Sequence, residues 1–198
     1  MSTAGNKRGQ EGQRVASPWN LPNALTVGRL LLVPVFVFLA WVGFERDSDA
    51  WQTWAAIVFG AAAITDLVDG ELARRTNQVT AIGKIIDPLA DKALTGSALI
   101  VLSWFNLLPW WVTGIIVVRE VGVTLLRFWV IRHGVIAASR GGKLKTALQI
   151  VAITLYLLPL ASGATSVAEW IMGAAVLVTV VTGVDYAVRA VALRRGAR

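Results

Sequence analysis

Cysteine is absent from the 198 residues, which removes disulfides, thiolate zinc sites and cysteine nucleophiles together. Histidine is almost as scarce. The single one, His133, excludes histidine-rich metal clusters and reads as a solvated loop residue. Charged residues make up 16% of the chain and apolar residues 56%, a balance far from that of an ordinary soluble domain. The bilayer is the expected solvent. At roughly 20 residues per crossing, a chain of this length is mostly membrane-embedded, with little left for a second domain. No internal repeat is visible, which weighs against an inverted-repeat transporter.

What is present falls into alternating segments. Residues 1–17 are polar and lack an apolar run resembling a signal-peptide core, so they are expected to form a disordered cytoplasmic tail ahead of one membrane domain, 18–198. Apolar runs over 24–43, 51–68, 85–105, 109–131, 145–160 and 167–188 predict six transmembrane helices. Trp41, Trp51, Trp54, Trp104, Trp110, Trp111 and Trp170 lie near the predicted span ends on one side, where interfacial aromatic anchors sit. The net charge of +7 is distributed unevenly. Loops 44–50, 106–108 and 161–166 hold only Arg46, whereas the tail, the loops 74–84 and 132–145, and the C-terminus hold most of the Lys and Arg. The positive-inside rule then puts both termini in the cytoplasm, and the surplus charge suits anionic lipid headgroups better than nucleic acid.

Four aspartates of one segment interrupt this apolar pattern: Asp66 and Asp69 near the end of the second span, and Asp87 and Asp91 near the start of the third. An ionised carboxylate in hydrocarbon costs several kcal/mol unless paired or metal-bound, so each is a functional candidate. Spacings of i, i+3 and i, i+4 put each pair on one helical face. Because the two spans are antiparallel neighbours joined by a short loop, the pairs come to similar depth at the cytoplasmic side. Converging oxygen donors without His or Cys suit a hard divalent cation, Mg²⁺ or Mn²⁺. The other reading pairs the aspartates with Arg74, Arg75 and Lys84 as structural ion pairs. Gly70 and Gly83 lack a Cβ and allow close backbone approach to a phosphate, or else merely end and start helices. Arg74 offers a bidentate phosphate donor.

Asp66 to Asp91 spells D-x2-D-G-x2-A-R-x8-G-x3-D-x3-D without a departure, and so resembles the signature of the CDP-alcohol phosphotransferases. The resemblance implies a six-helix membrane fold, in which a phosphatidyl or related group passes from a CDP-linked donor to an alcohol and CMP leaves. It further implies that Asp66, Asp69, Asp87 and Asp91 bind divalent metal, with Asp91 as ligand, general base or both. Gly70, Ala73, Arg74 and Gly83 would line the CDP pocket, and the enzyme would be a homodimer of the plasma membrane with a cytoplasmic active site. The segment 20–26 with Arg29, together with Arg119-Glu120, Arg127 and 142–149, is similar to phosphatidylglycerophosphate synthases. That likeness implies CDP-diacylglycerol as donor and glycerol 3-phosphate as acceptor.

A phosphorylated acceptor needs cationic anchors, and Arg29, Arg119, Arg127, Lys143 and Lys145 are the candidates. Lys143 and Lys145 also fit a solvated cytoplasmic loop, and Arg119 with Glu120 also fits a buried structural pair. Cardiolipin synthase and phosphatidylinositol-phosphate synthase share the chemistry. A divalent-cation transporter is the alternative from another class, although its carboxylates belong nearer the bilayer midplane.

Overall fold

A computed structural model describes the backbone of residues 21–76, 83–130, 140–160 and 162–196, with side chains at 27–65, 92–126, 129, 141–160 and 165–194. The expected tail at 1–17 and His133 lie outside the described residues. Six α-helices account for nearly all of the described chain: α1 Leu21–Glu45, α2 Asp49–Thr76, α3 Gly83–Trp104, α4 Trp110–Val130, α5 Arg140–Leu157 and α6 Ser162–Gly196. Each covers one of the six apolar runs of the sequence. Three outrun it: α2 continues through the signature to Thr76, α5 starts before its lysines, and α6 runs on to Gly196. Charged residues end a hydrophobic run without ending a helix, since Arg, Lys and Glu are good helix formers in water. At 1.5 Å per residue, the 35 residues of α6 span about 52 Å, well beyond the roughly 30 Å of a hydrocarbon core.

Helix α1 packs on α2 and α3, α5 packs on α6 and α2, and α4 packs on α6 and α3. Small residues make the closest of these approaches possible: Ala55, Ala56, Ala62 and Ala63 of α2 are buried around Phe59, whose ring lies 5.5 Å from that of Phe36 on α1. The core is apolar, but the outer surface is apolar as well and a few polar side chains lie inside. Leu31, Phe38, Trp54, Val118, Trp170 and Leu177 are exposed, Trp170 at 82%, while Gln52, Ser103, Thr113, Lys145, Gln149 and Thr179 are buried. Apolar atoms outside and hydrogen-bonded polar groups inside are what a lipid environment demands. Ser103 and Thr113 show the pattern, their hydroxyls 2.7 Å apart between α3 and α4. Among the described residues, Val27–Glu45 and Thr165–Arg194 are long and apolar enough to cross a membrane, and Lys92–Trp104 is a shorter apolar stretch.

Three tight turns meet at one end of the bundle. Asp47 and Asn106 adopt left-handed φ values of 47° and 59°, a conformation their short polar side chains tolerate. Phe105 touches both Trp41 and Phe44, at 5.3 Å in each case, which ties the α3–α4 turn to the end of α1. In the α1–α2 turn the Ser48 amide donates to Gly43 O at 2.9 Å. A Cβ on Gly43 would lie 2.8 Å from the Gln52 amide nitrogen and 3.1 Å from the Trp51 carbonyl carbon, backbone atoms that cannot swing aside. Gly43→Ala is therefore expected to destabilise the protein by about 1–3 kcal/mol, seen as a lower thermal midpoint in detergent. An unchanged midpoint would mean the two helices separate freely at this turn.

Candidate functional site

The signature lies at the end of the bundle opposite the three turns. Asp66, Asp69, Gly70, Ala73 and Arg74 occupy the C-terminal part of α2, and Gly83, Asp87 and Asp91 the first turns of α3. Their side chains fall outside the described residues, as does that of Arg127 on α4. The helices alone fix their level. Asp66 lies about 25 Å along α2 from its start at Asp49, while Asp87 and Asp91 lie about 26 and 20 Å from Trp104 at the other end of α3. The four aspartates thus share one zone of the bundle although they belong to different helices. Among the described residues no three His, Asp or Glu side chains cluster; the four aspartates are not among those side chains.

One turn deeper than Asp91, a cavity of about 170 Å³ opens between α3, α4 and α5. Lys92, Thr95, Glu120 and Lys145 line it with Leu99 and Ile116. Thr95 follows Asp91 by four residues, the spacing that puts two positions on one helical stripe. Cationic groups and apolar walls therefore meet directly beneath the last aspartate of the signature.

Lys145 is buried on α5 and its Nζ donates to Glu120 Oε1 on α4. Arg119 donates to the same oxygen through Nη1 at 3.0 Å. Its Nη2 reaches away from the cavity to Thr182 Oγ1 on α6, also at 3.0 Å. Thr182 can accept because its own proton goes to Val178 O at 2.7 Å. Gly183 leaves the space for this crossing: a Cβ there would lie 3.0 Å from Arg119 Cγ. A further polar contact lies one turn deeper, where Gln149 Nε2 donates to Thr179 Oγ1 at 3.2 Å. Fixed charges in such surroundings are held by one another and by these hydroxyls, and truncating either partner would strand the other.

The five proposed acceptor anchors thus divide. Lys145 faces the cavity, bonded to Glu120. Arg119 is turned to α6. Arg29 is buried on α1, and Lys143 is exposed in the first turn of α5. Lys92, which lines the cavity, is a residue that sequence reasoning missed. Its adjacency to Asp91 was the available signal. No sequence signal marks the Glu120–Lys145 contact, since the partners lie 25 positions apart on two different helices. At the same end, the Arg194 guanidinium of α6 sits 4.2 Å above the Trp129 ring of α4, a cation–π contact. A larger cavity, about 560 Å³, lies among the three turns with Asp47, Gln52, Tyr156 and Thr165 on its wall. It is separated from the signature by most of the length of the helices.

Comparison with known proteins bears on this zone. Residues 19–181 match the family described as CDP-alcohol phosphatidyltransferase. A probable phosphatidylglycerophosphate synthase of Mycobacterium tuberculosis is 53% identical over 171 residues, covering 86% of this chain and 81% of the relative. A CDP-diacylglycerol–glycerol-3-phosphate 3-phosphatidyltransferase of Bacillus subtilis is 39% identical, with 85% and 93% covered. One of the same name from Escherichia coli is 37% identical, with 68% and 75% covered.

Proposed function

The chain belongs to the CDP-alcohol phosphatidyltransferase family, and from that premise we propose that it transfers the phosphatidyl group of CDP-diacylglycerol to sn-glycerol 3-phosphate, releasing CMP. What supports this reading is that a cavity walled by Lys92 and Lys145 opens one helical turn beyond Asp91, the last aspartate of the signature. A phosphomonoester acceptor needs such cations, and a neutral alcohol does not. The names of the relatives from B. subtilis and E. coli point the same way.

The donor set fits a divalent metal of the hard class. Four carboxylates at one level of two helices, in a chain with no cysteine and one histidine, offer oxygen ligands and little else. Asp66, Asp69, Asp87 and Asp91 would hold it. When bound, Mg²⁺ or Mn²⁺ supplies charge neutralisation for the donor's diphosphate and for the departing CMP. The chain's own groups do the rest. Asp91 takes the proton from the acceptor hydroxyl as the oxygen attacks phosphorus. Gly70, Ala73, Arg74 and Gly83 hold the CDP portion, with Arg74 able to give two parallel hydrogen bonds to phosphate oxygens. Lys145 and Lys92 bind the acceptor phosphate in the cavity, while Arg119 braces the wall behind Glu120. Attack is direct, since the signature contains no nucleophile for a covalent intermediate.

The six helices are read as six membrane spans with both termini cytoplasmic and residues 18–198 as one domain, preceded by a tail at 1–17. The active site then faces the cytoplasm at the plasma membrane, in a homodimer. Purified protein given CDP-diacylglycerol and Mg²⁺ should release CMP with glycerol 3-phosphate, and at less than about one hundredth of that rate with phosphatidylglycerol or inositol phosphate. Equal or faster release with either alternative would assign the chain to cardiolipin or phosphatidylinositol-phosphate synthesis.

A further inference from the structure

The cavity among the three turns has no part in the chemistry above, yet its volume of about 560 Å³ is that of a small-molecule pocket. Tyr156 of α5 and Gln52 of α2 line it, each only 8% exposed. Among the described residues no hydrogen bond reaches Tyr156 Oη, although the hydroxyl stays accessible through the cavity. Gln52 donates Nε2 to Gly43 O at 3.3 Å, which fixes the amide and leaves Oε1 as an unused acceptor. Asp47 and Asp49 stand exposed on the same wall. The rings of Phe44 and Phe105, 5.3 Å apart, line it as well.

These polar groups can all accept a hydrogen bond, and the charge at this end favours a donor that is also a cation. Glu45, Asp47, Asp49 and Glu169 lie here against the single guanidinium of Arg46, and among the described residues no ion pair takes up Asp47 or Asp49. Asp49 is in the first turn of α2, where the helix dipole favours a carboxylate. That accounts neither for Asp47 nor for the two buried acceptors left open, each of which costs free energy until a partner satisfies it. We propose that this cavity binds a primary alkylammonium ion, whose three N–H donors go to Tyr156 Oη, Gln52 Oε1 and the carboxylate of Asp47 or Asp49 while its alkyl portion lies against Phe44 and Phe105. Ring faces attract an ammonium, whereas a hard divalent ion keeps much of its water and gains nothing from an aromatic wall. A quaternary ammonium has no N–H to give. Exposed Trp104, Trp110 and Trp111 mark this end as the level of lipid headgroups, so the ion can come from a headgroup or from a soluble amine. The proposal is independent of the phosphatidyl-transfer reading.

The test is a ligand-observed NMR titration of butylammonium, and of butanol as its neutral counterpart, against the full-length protein in phosphatidylcholine nanodiscs. Mg²⁺ is present throughout, so that the carboxylates of the signature do not compete for the probe. Butylammonium is expected to bind at least about tenfold tighter than butanol, as a charged donor meeting open acceptors should. Tyr156→Phe removes only the unbonded hydroxyl and is expected to weaken butylammonium about tenfold. Asp47→Asn keeps a residue type that tolerates the left-handed φ of 47°, and is expected to weaken it about threefold. Neither substitution should change butanol binding or the rate of CMP release by more than about twofold, since both lie far from the signature. Replacing phosphatidylcholine by phosphatidylethanolamine separates the two sources. A fall in butylammonium affinity identifies the lipid headgroup as the occupant, and an unchanged affinity identifies a soluble amine. Butylammonium that binds no tighter than butanol, or that is insensitive to both substitutions, overturns the proposal and makes the cavity a water-filled vestibule.

Discussion

Asp91→Asn is expected to lower the rate of CMP release by at least about a thousandfold while the protein remains folded. Loss of a positioned general base costs about 10²–10⁴ in rate, and loss of a metal-binding carboxylate in the same residue adds to it. The substitution is isosteric, so a purely structural ion pair with a neighbouring cation would show itself differently, as a fall in thermal midpoint with activity nearly intact. The two chemical roles also separate. A deficit that narrows as pH rises marks Asp91 as the base, because the acceptor hydroxyl then needs less help to lose its proton. A deficit that narrows as Mg²⁺ is raised marks it as a ligand. Asp66→Asn, Asp69→Asn and Asp87→Asn should respond to Mg²⁺ and not to pH.

Stripping divalent cations with EDTA is expected to reduce turnover to background, and adding Mg²⁺ or Mn²⁺ in excess of the chelator should restore it. The CDP-linked donor brings a diphosphate to a zone that already holds four carboxylates. Like charges of that density cannot approach without a cation between them. The positive side chains near the cavity do not suffice, because Glu120 engages Arg119 and Lys145. The check is CMP release against free metal concentration. Activity that persists in EDTA would leave the aspartates without the role proposed for them.

The two parts of the site differ in how far the sequence discloses them. The aspartates are legible because their chemistry and their spacing act within single helices: a carboxylate is conspicuous in an apolar run, and i, i+3 or i, i+4 fixes a common face whatever the helix packs against. The positions of the six helices are legible for the same reason, as each follows an apolar run closely. Helix ends were less so. Thr76 and Arg140 show helices continuing where hydropathy has stopped, because hydropathy reports the solvent and the backbone follows propensity. The cationic cavity depends on tertiary contacts. Nothing in the order of residues tells that Arg119 turns to Thr182 while its neighbour Glu120 turns to Lys145, since adjacent residues on a helix point about 100° apart and the packing of α4 against α6 and α3 decides which meets which.

The most direct measurement follows the phosphorus of the acceptor. Purified protein in micelles receives CDP-diacylglycerol, Mg²⁺ and ³²P-labelled sn-glycerol 3-phosphate, and label in the organic phase is compared with CMP released. Phosphatidyl transfer predicts one label entering lipid for each CMP, with both lost in Asp91→Asn. CMP released without label in the lipid would mean that water or another alcohol is the true acceptor, contradicting the assignment of Lys92 and Lys145 to an acceptor phosphate.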